Sequence, residues 1–116
     1  MNDGLDAREA TAALRVGSIG RLREGFDRWL SVESRVSTGD ERDAMISIAP
    51  FVDCARRLGA DPTALLGPLV GAAPPWVREA FGGVVGRSAD VTLSSLGWSV
   101  VETSDGPAYR FAWPAG

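Results

Sequence analysis

The sequence predicts an α+β fold: an orthogonal cluster of four to five helices followed by a C-terminal antiparallel β-hairpin. Apolar residues recur at steps of three and four over most of residues 5–96, which is typical of helices that bury one face. Apolar and polar residues alternate over residues 97–113, as they do in half-buried strands. The 116 residues, of which 45% are hydrophobic, suit one domain with its own core, over residues 1–116.

The first helical segment is predicted over residues 5–35. Its apolar residues gather on one helix face, among them Val16, Ile19 and Phe26. Gly17 and Gly20 oppose a continuous helix, because a glycine inside a helix costs about 1 kcal/mol relative to alanine. Either the helix breaks between these two glycines, or they let another element approach closely.

The helical core is predicted over residues 38–96. Thr38 and Glu41 have the spacing of a capping box at the start of its first helix. Pro50 lies inside that helix and removes one backbone hydrogen bond, which predicts a kink or a break. The sequence "RRLGADP" then predicts a tight corner, because Gly59 suits the left-handed position after a helix and Asp61 suits the N-cap of the next.

Two more helices are predicted after this corner, in "PTALLGPLVGAA" and "PPWVREAFGGVVGR". Pro62 and Pro75 suit the first helical position of each, since proline is tolerated there. The next stretch, "SADVTLSSLG", fits a short helical turn and equally a short strand. The sequence leaves that choice open.

The hairpin is predicted over residues 97–113, around the turn sequence "SDGP". A four-residue loop over residues 104–107 pairs Trp98 with Trp113 across the two strands. An isolated two-stranded hairpin is marginal in water, so its aromatic face is expected to pack on the helices. The residues predicted on that face are Trp98, Val100, Tyr109, Phe111 and Trp113.

The amino-acid composition argues against several classes of protein function. The net charge is −3, whereas nucleic-acid binders usually carry a basic excess, so nucleic acid is not the expected partner. Histidine and lysine are absent, which removes the commonest general base and all lysine chemistry. The single cysteine, Cys54, without histidine argues against a zinc site. The sequence therefore predicts no cofactor and no metal, and an enzyme is the less favoured class.

The sequence predicts a cytoplasmic bacterial protein with no membrane partner. Abundant alanine, glycine and arginine without lysine are typical of a GC-rich genome. Cys54 has no second cysteine for an intramolecular disulfide, and the N-terminus lacks the pattern of a secretory signal. The longest uncharged stretch, residues 62–77, is too short and too interrupted by proline to span a bilayer.

The order of a helical corner, a helix beginning "PPWVREAF" and a β-hairpin resembles a winged helix-turn-helix domain. The resemblance covers roughly residues 50–113 and is one of layout, without a matched motif. It implies a DNA-binding regulator whose recognition helix and wing carry basic residues. Here that helix offers Arg78 and Arg87, whereas the hairpin tip offers Glu102 and Asp105 and no base. A DNA-binding regulator is therefore kept as an alternative.

The favoured function is that of a binding module that acts through protein–protein contact or self-association, in an accessory, regulatory or immunity-type role. Four tryptophans are many for so small a core, which leaves apolar surface for a protein partner or a second copy of the chain. The other alternative is a small-ligand binder or an enzyme that uses carboxylates and tryptophans in a closed apolar pocket. The residues predicted to form the partner surface are Trp76, Arg78, Tyr109, Arg110, Phe111 and Trp113.

Overall fold

The computed structural model describes residues 3–36, 41–86, 93–104 and 106–111. The helices are α1 (Asp3–Val16), α2 (Ile19–Val36), α3 (Glu41–Arg57), α4 (Pro62–Val70) and α5 (Pro75–Val85). They are followed by an antiparallel hairpin of β1 (Trp98–Thr103) and β2 (Gly106–Phe111). The predicted α+β fold, in which a helical part precedes a C-terminal hairpin, is confirmed.

The first helical segment breaks at Gly17, which decides between the two alternatives that the sequence left open. Gly17 has a φ of +67°, a conformation that residues with a side chain rarely adopt. Its N–H donates to the Leu14 oxygen at 3.1 Å and the Ser18 N–H donates to the Ala13 oxygen at 3.0 Å, a Schellman motif that ends α1. The Ser18 hydroxyl then accepts from the Arg21 N–H at 3.1 Å and caps α2.

The predicted corner after α3 is confirmed. Gly59 has a φ of +80°, and its N–H donates to the Arg56 oxygen at 3.0 Å. The Asp61 carboxylate accepts from the Thr63 N–H at 3.0 Å, and Pro62 begins α4. Both corners therefore use a left-handed glycine to end one helix and a polar side chain to start the next.

Pro50 does not break α3, which is continuous from Glu41 to Arg57. Of the predicted kink or break, the continuous helix excludes the break, and a side chain from the hairpin replaces the missing hydrogen bond. Pro50 has no N–H for the carbonyl of Ile46, one helical turn earlier. The indole Nε1–H of Trp98 donates to that oxygen at 2.8 Å in the buried core.

The core is built around α3, which packs against α1, α2, α4 and α5. At its centre the Phe26 ring of α2 lies 5.3 Å from Phe51 of α3 and 6.2 Å from Phe81 of α5, between ring centroids. Trp29 stacks on Phe26 at 5.9 Å. Edge-to-face and offset aromatic pairs of this kind stabilise beyond the area they bury, so they fix the mutual placement of three helices.

The hairpin loop is shorter than predicted. Thr103 pairs with Gly106, so two residues form the loop instead of the four at residues 104–107. A pair that exchanges both backbone hydrogen bonds closes such a loop, and the next pair, Glu102 with Pro107, exchanges none. Pro107 therefore fits inside β2 despite its missing N–H.

The shorter loop moves the register by two residues and leaves the faces as predicted, since side chains alternate with a period of two. Trp98 pairs with Phe111, whereas its predicted partner, Trp113, lies outside the described residues. Trp98 and Tyr109 are buried, and Arg110 is exposed on the opposite face. β2 packs against α1, so the described aromatic side chains of this face, Trp98 and Tyr109, are covered as expected.

Two sequence signals fall at the limits of the described residues. Thr38 of the predicted capping box lies outside them, and α3 begins at Glu41. The sequence "SADVTLSSLG" was compatible with a helical turn or a strand. Residues 93–95 within it are helical. Leu93 and Leu96 are buried there and belong to the hydrophobic core.

Candidate functional site

A buried carboxylate, Asp53, joins the hairpin to α3. It is 3% exposed, and its Oδ2 accepts from the Arg57 Nε at 2.6 Å and from the Tyr109 hydroxyl at 2.7 Å. Arg57 lies one turn later on α3, and Tyr109 comes from β2. A buried charge is strongly destabilising unless partners of this kind surround it. The three side chains therefore form a structural junction between sheet and helix.

The Tyr109 hydroxyl serves this junction as a hydrogen-bond donor. Burial is the main cause that raises its pKa above the usual value, and the charge and hydrogen bond of Asp53 raise it further. The hydroxyl consequently stays protonated at neutral pH. Tyr109 is 8% exposed, so the fold gives this residue a structural role.

The single thiol, Cys54, lies in the core between α3 and α1. The residue is 0% exposed, and its Sγ donates to the Ala10 oxygen at 3.3 Å. Burial, and then the negative charge of Asp53, raise the pKa of the Cys54 thiol to about 12. A cysteine nucleophile needs a lowered pKa and access to substrate. Cys54 is therefore a packing residue in this fold.

An open cleft of about 310 Å³ lies between α2 and the connection from α4 to α5. Its polar side chains are Asp27 and Ser31, and the Ser31 hydroxyl donates to the Asp27 backbone oxygen at 3.0 Å. A small-ligand site usually encloses its ligand and converges several polar groups on it. This cleft does neither. Its remaining lining residues are Leu30, Leu69, Ala72, Ala73 and Pro74.

The described parts of the chain contain neither a metal-binding cluster nor a helix able to cross a membrane. No group of three or more metal-ligating side chains is found among those residues. None of the described helices is long and apolar enough to cross a membrane.

The corner between α1 and α2 presents apolar side chains to solvent. Val16 is 64% exposed and Ile19 is 41% exposed, on either side of the Gly17–Ser18 turn. In the described structure three large hydrophobic side chains are exposed, and the third, Val32, lies near the other end of α2. Two of the three are therefore concentrated within four residues of one corner.

Three arginines surround the same corner. Arg15 lies in the last turn of α1, and Arg21 and Arg23 lie in the first turns of α2; all three are exposed. No acidic residue stands between Glu9 and Glu24 in the sequence. Within the described part of the chain, none of these arginines forms an ion pair. The N-terminus of a helix favours acidic side chains, and the first turn of α2 has none, so the helix dipole adds to the positive charge.

We call Arg15, Val16, Ile19, Arg21 and Arg23 the corner surface. Sequence reasoning missed it because Val16 and Ile19 fit the apolar stripe of one continuous helix. The break at Gly17 turns both side chains out of that stripe, so their predicted burial is wrong. The signal that identifies the corner surface is the run "RVGSIGRLR", with three arginines and no acid.

The residues predicted to form a partner surface are divided between two parts of the fold. Trp76 is half-buried and Arg78 exposed on α5, which packs on α3 and α4. Tyr109 is buried and Arg110 exposed on β2, which packs on α1. Trp76 and Arg78 are therefore positioned by α3 and α4, whereas Tyr109 and Arg110 are positioned by α1.

The last two of the predicted residues are Phe111 and Trp113. The backbone of Phe111 ends β2, whereas its side chain and the whole of Trp113 lie outside the described residues. The partner surface assigned from the sequence stays a prediction.

No protein-family model matches the chain, and no curated protein or solved structure shows a significant similarity to it.

Proposed function

We propose that the chain is a protein-binding module whose corner surface contacts an acidic patch on a partner protein. The observation that carries the proposal is that exposed apolar side chains and unpaired positive charge coincide at one corner. The chain as a whole is acidic, with a net charge of −3, so this corner differs from the average surface. Neither feature is required by the turn itself, which depends on Gly17 and Ser18.

The apolar side chains supply affinity in such a contact. Val16 is 64% exposed and Ile19 is 41% exposed, which together amount to about one whole side chain. Burying one aliphatic side chain of this size is worth about 1.5–3 kcal/mol. The neighbouring Gly17 has no atom within 4 Å of the position that a Cβ would occupy, so a partner has room to approach the backbone there.

The arginines supply orientation and rate. Complementary charge across an interface steers the encounter and disfavours partners of the wrong sign. Arg21 and Arg23 lie beside the positive end of the α2 dipole, which strengthens the local potential. A nucleic acid fits less well, because phosphate contacts leave Val16 and Ile19 without an apolar surface to cover them.

The proposal is tested by affinity capture with three immobilised proteins: wild type, the double variant Val16→Ser/Ile19→Ser, and the control Val32→Ser. Val32 is 53% exposed and lies outside the corner surface, which makes it a matched control. Loss of about 2 kcal/mol of apolar contact weakens binding about thirtyfold. The wild type and the control are expected to retain the same protein, and the double variant to lose it.

Circular dichroism shows whether the three proteins share one fold. Raised salt is expected to release the captured protein, because screening weakens the attraction between exposed charges. Retention of the same protein by all three baits would remove the corner surface as the binding site.

A further inference from the structure

One side of α2 carries four exposed residues spaced four apart: Ile19, Arg23, Asp27 and Ser31. Residues at this spacing are neighbours on a helix surface and form a continuous ridge. We call these four residues the α2 ridge. Its first two residues belong to the corner surface, and its last two line the cleft between α2 and the connection from α4 to α5. The ridge therefore joins a basic, apolar end to an acidic end beside a cleft.

The charges on the α2 ridge complement those of a second, antiparallel ridge. Arg23 and Asp27 lie one turn apart, and within the described part of the chain neither forms an ion pair. A basic residue that precedes an acidic one is the less favourable order for a pair within a helix. With a two-fold axis at the level of Gly25, each Arg23 faces Asp27 of the other copy. An axis at Arg23 or at Asp27 sets like charges opposite each other, so charge favours the axis at Gly25.

The same register brings Ile19 of each copy to the cleft of the other, because Ile19 then faces Ser31. Ile19 is 41% exposed, and the cleft has a volume of about 310 Å³. Of the described residues that line this cleft, Asp27 alone is charged. Residues 62–77 carry no charge, so the side of the cleft opposite α2 has no basic group to oppose Arg23. The apolar lining residues available to cover Ile19 are Leu30, Leu69, Ala72, Ala73 and Pro74.

We infer that the acidic partner of the corner surface is a second copy of the chain, docked antiparallel along the α2 ridge about a two-fold axis at the level of Gly25. Both corner surfaces and both clefts are then used at once, as a self-complementary contact requires. Ridges of this spacing interdigitate in the commonest class of helix packing. The inference rests on the proposed function, because it names the partner of that same surface.

One ridge from each copy forms a small interface, so we expect a reversible dimer that dissociates on dilution. Sedimentation equilibrium of the full chain over a range of concentrations is expected to show a monomer–dimer equilibrium, which raised salt shifts toward the monomer. Ile19→Ser is expected to weaken the dimer. Val32→Ser, which changes an exposed residue of α2 outside the ridge, is the matched control and is expected to dimerise like the wild type.

Charge reversal tests the register itself. Arg23→Glu sets acidic groups opposite each other at both symmetric contacts, and Asp27→Arg does the same with basic groups. Each variant alone is expected to dimerise about tenfold more weakly. A mixture of the two variants restores opposite charges at both contacts, as does the double variant Arg23→Glu/Asp27→Arg, so both are expected to regain the dimer.

Arg110→Glu controls for net charge, because it makes the same change as Arg23→Glu at an exposed position of β2. It is expected to dimerise like the wild type. Far-ultraviolet circular dichroism shows whether each variant keeps the helical fold.

A wild type that stays monomeric overturns the inference, as do single charge-reversal variants that dimerise normally. A mixture of the two variants that dimerises no better than either alone also overturns it. The proposed function is judged separately by affinity capture. A monomeric wild type that captures another protein, which Val16→Ser/Ile19→Ser loses, contradicts the inference alone, whereas a monomeric wild type with equal capture by all three baits contradicts both.

Discussion

Replacing Trp98 with phenylalanine tests whether the hairpin completes α3 at its proline. The Trp98 indole donates to the Ile46 oxygen at 2.8 Å, and Pro50 provides that oxygen with no donor from the helix. Trp98→Phe therefore leaves a buried carbonyl without a partner, which costs about 1–3 kcal/mol. The smaller ring also loses packing in the core, where Trp98 is 3% exposed.

The variant Pro50→Ala separates the hydrogen bond from the packing. It restores a backbone N–H one turn after Ile46, so the carbonyl keeps a partner when the indole is lost. The packing loss of Trp98→Phe is similar in both backgrounds and cancels in a double-mutant cycle. We expect Trp98→Phe to cost about 1–2 kcal/mol more in the wild type than in the Pro50→Ala background.

Guanidinium unfolding of the four proteins, followed by far-ultraviolet circular dichroism, gives the free energies for this cycle. Circular dichroism is preferred to fluorescence because the substitution removes a tryptophan. Costs of Trp98→Phe that agree within about 0.5 kcal/mol in the two backgrounds would falsify the role assigned to the indole.

Three further predictions concern the junction, the thiol and the first corner. Tyr109→Phe removes a donor to the buried Asp53 and is expected to lower the free energy of unfolding by about 1.5–3 kcal/mol; a change below about 0.5 kcal/mol contradicts this. Because the folded-state pKa of Tyr109 is raised, its stability contribution is complete below pH of about 10 and is lost as the pH rises further, so Tyr109→Phe should flatten that fall in denaturant titrations. Cys54 has a thiol pKa of about 12, so at pH 8 it should react with a thiol reagent only as fast as unfolding exposes it. Immediate full labelling of the native protein would contradict its burial. Gly17→Ala should cost about 1–2 kcal/mol because φ is +67°, whereas the control Gly20→Ala, inside α2, should stabilise by up to about 1 kcal/mol; equal effects in thermal melts contradict the assignment.

The elements that sequence reasoning predicted well are those whose signals are local. The corner after α3 follows from Gly59, Asp61 and Pro62, because each suits one position of a helix end. The break at Gly17 was left open, since the apolar stripe continues on both sides of it. A periodic stripe does not show where a helix stops when a glycine allows both outcomes.

The parts that sequence reasoning missed depend on distant residues. The Trp98 bond to Ile46 joins residues 52 apart, and the Tyr109 bond to Asp53 joins residues 56 apart. No local pattern reports that a tryptophan in the hairpin completes a helix at a proline. The alternation of apolar and polar residues in the hairpin likewise does not distinguish two pairing registers that differ by two residues, because both leave every side chain on the same face.

The candidate site was predicted from a surplus of aromatic residues, and the structure places much of that surplus inside. Trp29 is 4% exposed and Trp98 is 3% exposed, and Tyr109 is bound to Asp53. The corner surface contains no aromatic residue, so a prediction based on aromatic residues does not find it. Its recognition depends on the exposure of Val16 and Ile19, which only the break at Gly17 produces.

If the corner surface binds an acidic protein, replacing its arginines must weaken the affinity for the captured partner. Isothermal titration at low and high salt compares the wild type with Arg21→Gln/Arg23→Gln, which keeps Val16 and Ile19 unchanged. The variant is expected to bind about three- to tenfold more weakly at low salt and to depend less on salt than the wild type. Equal affinities and equal salt dependence for the two proteins would contradict it.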